Sequence, residues 1–105
     1  MTTLRDEGRP PLVIDCAATD DGWSCVVQVG DDPGATEHAV TLDHDTVSRL
    51  APTGTTPEEL LVASFRFLLA REPRESIMRS FELPIITRFF GDYESEVARR
   101  LAPHQ

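Results

Sequence analysis

Up to Leu42 apolar residues recur at every second position, and beyond it they recur at helical spacing. Leu12, Ile14, Cys16 and Ala18 alternate along a first strand, and Trp23, Cys25, Val27 and Val29 along a second. Thr19-Asp20-Asp21-Gly22 lies between them. A turn at Asp21-Gly22 suits type I′ geometry, in which both central residues need positive φ. It pairs Ala18 with Cys25 and Cys16 with Val27, and sets every one of these apolar residues on one face. A turn at Asp20-Asp21 would instead set Cys16 directly opposite Cys25, where a cross-strand bridge is conceivable. After the turn-forming run from Gly30 to Thr36, a short third strand, Glu37 to Leu42, carries His38, Val40 and Leu42 on one side. Residues 1–10 are polar and read as a disordered lead-in.

Helical signals follow. A short helix is expected from Asp45 to Leu50, capped by Asp43 or Asp45. Thr56-Pro57-Glu58-Glu59 has an N-cap threonine, proline at the first helical position and glutamate at N3, a capping box. It predicts a helix from Pro57 to about Arg71, apolar nearly all round (Leu60, Leu61, Val62, Phe65, Phe67, Leu68, Leu69) and broken by Ser64 and Arg66. Such a helix is either central to the fold or shared with a partner. Pro73 ends it. Ser76 to Phe81 is read as a further helical turn, and Pro84 opens a segment holding Ile85, Ile86, Phe89 and Phe90. Asp92 caps a last helix with Tyr93, Val97 and Leu101 on one face. The fold expected is α+β: a three-stranded antiparallel β-meander followed by three to four helices packed on one face, forming one domain over 11–105.

Length and apolar content, 105 residues and 40%, suffice for one core without metal or disulfide staples. The net charge of −8 opposes direct binding to nucleic acid and to anionic membranes. That charge is uneven: residues 1–56 hold three arginines against ten acids, and residues 57–105 seven against eight. The first residues lack a signal peptide's apolar run, and no stretch has the length of a membrane span. The cytoplasm is therefore the expected compartment. There Cys16 and Cys25 would be small, buried, reduced hydrophobes.

Candidate chemistry is sparse. His38, Asp43, His44 and Asp45 have metal-like side chains, but their spacing fits no recognised ligand pattern and no further ligand is indicated. Ser64 and Ser76 lack a nucleophile context, and the glycines follow no phosphate-loop spacing. No catalytic, cofactor or metal residues are assigned. The dense apolar group near the C-terminus is different. Phe89 and Phe90 are adjacent, so on a helix they point about 100° apart and cannot both enter one small core. Phe67, Phe81, Phe89, Phe90 and Tyr93 are the expected interface residues, facing a protein partner or a second copy of the chain.

The run from Pro57 to Tyr93 (PEELLVASFRFLLAREPRESIMRSFELPIITRFFGDY) resembles a set of small bacterial proteins without assigned activity. They place a similar hairpin before the same helical segment, and the resemblance implies no reaction, ligand or site. Thr56 to Ser64 is similar to the helix entry of OsmC-type peroxide reductases, but this helix has no cysteine. The hairpin and Pro-Glu-Glu helix are similar to HicB-type antitoxins, without that family's Pro-x-x-x-Gly-Cys strand. The function expected is a non-enzymatic interaction or regulatory protein acting through protein contacts. A small metal-dependent enzyme using His38, His44, Asp43 and Asp45 is one alternative, and an antitoxin-like nucleic-acid regulator another.

Overall fold

The computed structural model describes residues 2–102. The ends of the ranges expected above, residue 1 and residues 103–105, lie outside them. The fold is α+β, with a five-stranded sheet in chain order. The strands are β1 (Thr2–Asp6), β2 (Leu12–Ala18), β3 (Gly22–Val29), β4 (Thr36–Asp43) and β5 (Ser80–Glu82). The first four are antiparallel neighbours, and β5 lies parallel to β4. The helices are α1 (His44–Leu50), α2 (Pro57–Leu69), α3 (Ile86–Phe89) and α4 (Tyr93–Leu101).

The meander of three strands is thus extended at both edges. Residues 2–6, expected to be disordered, pair with β2 and place Leu4 beside Ile14. Their alternation is too polar to signal a strand, because an edge strand needs only one flank of hydrogen bonds and little burial. Asp6 at the end of β1 accepts two hydrogen bonds from Arg66 of α2, at 3.0 and 2.7 Å, which ties the edge to the helical layer. At the other edge, residues 76–81 were expected to be helical. They instead leave a 3-10 turn, Arg74–Ser76, and enter β5. There Phe81 comes beside Val40. Tertiary pairing overrides the weak local signal of so short a segment.

Burial in β4 alternates strictly, so one face of the sheet is covered and the other is open to solvent. On the covered face the register builds rows across the strands. Cys16, Cys25, Val40 and Phe81 form one row; Ile14, Val27 and His38 form the next; Leu12, Val29 and Thr36 form a third. The β2–β3 turn falls at Asp20-Asp21, with Thr19 N donating to the carbonyl of Gly22 at 2.8 Å. It therefore corrects the Asp21-Gly22 placement. Neither aspartate nor Gly22 has positive φ, so the turn is not type I′. Gly22 is needed for a different reason: a Cβ there would run into the backbone of Leu42 and Asp43, which pairs closely with it.

The two registers differ by two residues, and such a slip leaves every side chain on its own face. Hydrophobic alternation is blind to it. Its consequence is that Cys16 and Cys25 are directly opposed rather than diagonal, 4.1 Å apart at Cα, and joined by a disulfide. Counting outward from the hydrogen-bonded Thr19–Gly22 pair, this is a non-hydrogen-bonded position, where opposed side chains come closest. The cysteines are buried as expected, but bridged rather than free.

Helix α2 has the expected capping box. Thr56 Oγ1 accepts from Glu59 N at 3.1 Å, and Glu59 Oε1 accepts from Thr56 N at 2.9 Å. Two otherwise orphaned donors are satisfied this way. Leu60, Leu61, Phe65, Phe67 and Leu68 are all buried. The helix lies over β1 and β2 on one side and against α4 on the other. It is central to the fold, enclosed within one chain. Asp43 caps α1, accepting from Thr46 N at 2.7 Å. Asp92 stands at the start of α4, but its side chain makes no capping bond and accepts from Arg71 instead, at 2.7 Å.

Candidate functional site

Three fixed contacts shape the region that follows α2. Arg71 lies 3.7 Å over the ring of Phe67 and reaches Asp92, tying the end of α2 to the start of α4. Arg74 grips both carboxylate oxygens of Asp32 at 2.9 and 3.0 Å, holding the 3-10 turn against the β3–β4 loop. That bond holds the Asp32 carboxyl below its usual pKa. His38 then anchors the chain at Met78. The Met78 carbonyl can only accept, so His38 Nδ1 carries the proton and donates to it at 2.7 Å. Nε2 in turn accepts from the Thr36 hydroxyl at 2.9 Å. Burial pushes the His38 pKa down, so the ring is held neutral.

Between this anchored loop, β5 and α3 lies an apolar groove of about 430 Å³. The buried residues Leu68, Ile77, Phe81 and Ile86 line it together with the more exposed Met78, Phe89 and Phe90, and Glu72 and Ser76 add a polar edge. Phe89 is 64% exposed and Met78 38% exposed, while Ile77 and Ile86 beneath them are buried. A volume of that order lies within the range of small-molecule pockets. Met78 adds a flexible, polarizable side chain able to adapt to what it touches.

Of the five aromatic residues expected at an interface, the groove holds Phe81, Phe89 and Phe90. Phe67 and Tyr93 are corrections: both are wholly enclosed. Tyr93 packs edge-on to Phe67 with centroids 5.3 Å apart. Its hydroxyl is 2.7 Å from Ser64 Oγ, which donates to the Leu60 carbonyl at 2.8 Å. The serine proton is committed there, so the phenol is the donor between the two hydroxyls. Burial pushes the Tyr93 phenol up to about 12. Ser64 is a buried link between helices, not a nucleophile. Sequence reading did not find Met78 and Ile77. The signal was present in the spacing of Ile77 and Phe81 around an exposed arginine, but it was assigned to a helix that does not form.

His38, Asp43, His44 and Asp45 are not brought together. His38 points into the core, whereas Asp43 lies five residues on, roughly 17 Å along an extended strand. No group of three or more His, Cys, Asp or Glu able to hold a metal occurs among the described residues. His44 is exposed and stands edge-on to Trp23, with centroids 4.6 Å apart. Both line a wide hollow of about 800 Å³ rimmed by Asp20, Asp21, Asp43, Asp45 and Glu82. It is the larger concavity, but it is open, and the Asp43 carboxylate is engaged in capping α1, with hydrogen bonds from Thr46 holding its pKa down. The apolar groove is the better candidate.

Comparison with protein-family models, with curated proteins and with solved structures returned no match. No helix among the described residues is long and apolar enough to cross a membrane.

Proposed function

We propose that this protein is a non-enzymatic interaction module that engages another protein through the groove beside Phe89. One observation carries the reading. Phe89 is 64% exposed at the lip of an apolar groove, while Phe65, Phe67 and Phe81 of the same chain are buried. A large apolar side chain held in water next to a concave apolar surface is the pattern of a docking site. The surrounding loop is tied down by Arg71, Arg74 and His38, so little ordering is needed when a partner arrives. The Cys16–Cys25 bridge is enclosed within the sheet's covered face, at 2% and 1% exposure.

The test uses the full chain with a photo-crosslinking residue at Met78, beside an otherwise identical Phe89→Asp variant. A protein crosslinked at that position and lost in the variant supports the reading. Identical crosslinks from both chains, or none from either, remove it.

A further inference from the structure

We infer that two copies of this chain pair edge to edge through β1, forming a symmetric dimer whose two-fold axis passes beside Leu4. The inference is independent of the groove beside Phe89, which lies at the opposite edge of the sheet and stays open in such a dimer.

The backbone sets the register. Thr19 N donates to the Gly22 carbonyl and Gly30 N to the Pro11 carbonyl, so odd-numbered residues of β2 bond to β3 and even-numbered ones to β1. Thr2, Leu4 and Asp6 therefore spend their backbone groups on β2, while Thr3 and Arg5 turn theirs outward from the edge. An open edge of this kind is a template for another strand. Antiparallel pairing centred on Leu4 sets Thr3 against Arg5 of the second copy. It satisfies all of these outward donors and acceptors with residues of β1 alone.

The side chains suit the same axis. Leu4 shares the covered face with Ile14, yet it is part-exposed and stands outside the core. With the part-exposed Val62 and Leu101 it lines a hollow of about 450 Å³ at this edge. In the dimer Leu4 opposes its own copy at a non-hydrogen-bonded position, where side chains lie closest. Helix α2 lies over β1 and β2. With strands about 4.8 Å apart, the axis brings the two α2 helices to about 10 Å, the spacing at which helices pack. Glu59, Val62 and Arg66 of α2 also line the hollow, at i, i+3 and i+7 on one face. The two-fold runs the helices antiparallel, so Val62 meets itself and Glu59 meets Arg66 of the second copy, twice over. Asp6 takes Nε and Nη2 of Arg66, and the cap takes Oε1 of Glu59; Nη1 and Oε2 have no hydrogen-bond partner among the described residues. This edge is thus complementary in charge to a second copy of itself, in a chain whose net charge of −8 opposes self-contact elsewhere.

Sedimentation equilibrium of the full chain across about 5–500 µM should show the average mass rising towards that of two chains. Thr3→Pro removes an outward N–H and leaves the β1–β2 ladder intact. It should hold the chain monomeric while the thermal midpoint of dilute protein stays unchanged. Leu4→Cys tests the register, because Leu4 alone in β1 opposes itself. Mild oxidation should link two Leu4→Cys chains covalently, whereas Arg5→Cys under the same conditions should stay unlinked. The native cysteines are bridged and enclosed, so they do not compete. A monomer throughout the concentration range overturns the inference, as does a dimer that Thr3→Pro leaves intact. Equal linking of the two cysteine variants overturns it as well. A dimer dissolved by Phe89→Asp but not by Thr3→Pro would place the contact at the groove instead. If Thr3→Pro unfolds the chain, the pair of cysteine variants still decides between these outcomes.

Discussion

Tyr93 donates its phenolic proton to Ser64 across the α2–α4 contact, and Ser64 passes its own to the Leu60 carbonyl. The arrangement satisfies a buried hydroxyl pair with a backbone oxygen that already serves its helix. It also makes the only tyrosine of the chain a reporter of the core.

Because there is a single tyrosine, ultraviolet absorbance follows its ionisation alone. In denaturant the phenol should titrate near 10, and in the native protein it should resist to about 12. The sign is fixed by which state loses its proton first. The unfolded chain ionises at lower pH, so stability is intact below 10 and declines as pH rises from 10 towards 12, at roughly 1.4 kcal/mol per unit. Tyr93→Phe should remove this decline and, at neutral pH, cost about 0.5–1.5 kcal/mol in urea unfolding for the lost hydrogen bond. A native titration near 10 would contradict the enclosed phenol.

His38 predicts a change at the other end of the scale. Its folded pKa lies below the unfolded value of 6.5, so the unfolded chain takes up the proton first. Stability from the neutral ring is complete above 6.5 and is lost as pH falls through that value towards the folded pKa. Denaturation midpoints measured between about pH 7 and 5.5 should decline in the wild type. His38→Leu should flatten that slope while lowering stability by about 1–3 kcal/mol, since the Met78 carbonyl loses its donor. Nitrogen chemical shifts showing that the folded ring ionises at or above 6.5 would refute the assignment.

The opposed cysteines make a third prediction. Intact mass should be lower by two hydrogens than that of the reduced chain, and alkylation should need both reductant and unfolding. Cys16→Ala with Cys25→Ala should lower stability by about 2–3 kcal/mol, the loop-closure value for so short a span. Equal labelling of the untreated native protein would show that the register is wrong.

Glycine replacements separate close approach from conformational demand. Gly22→Ala would push a methyl into the backbone of Leu42 and Asp43, with no flexible neighbour to yield, at about 2–3 kcal/mol. Gly54→Ala meets nothing within 4 Å but carries φ +92°, so only backbone strain of about 1–2 kcal/mol applies. Gly34→Ala meets the Arg74 guanidinium, whose shift would loosen its surface pair with Asp32, a solvent-screened contact that contributes little, so it should cost less than either. Thermal midpoints should fall in that order, and a reversed order would contradict the backbone contacts.

Much of this architecture was legible where period and punctuation agreed. The alternation through β2, β3 and β4, the Thr56–Glu59 box and the face of α4 all correspond to observed elements. What escaped lay where local signals are weak or degenerate. Thr2–Asp6 has too little apolar character to announce an edge strand, and Ser80–Glu82 is a strand only because β4 offers it an open flank. The hairpin slip was invisible because two residues restore the same face. At the candidate site, Phe89 is exposed and Phe90 only partly so, but Phe90 stands in extended backbone past the end of α3, so the helical angle between them is not the reason. The enclosure of Phe67 and Tyr93 depended on packing between α2 and α4, which spacing along one helix does not encode.

The parallel pairing of β5 with β4 stitches the last quarter of the chain into a sheet begun at its start. A protease nicking the solvent-facing turn at Gly54 would therefore release no free fragment. The two pieces would stay clasped and migrate as one particle until a denaturant pulled them apart, and neither half could be borrowed as a stand-alone module.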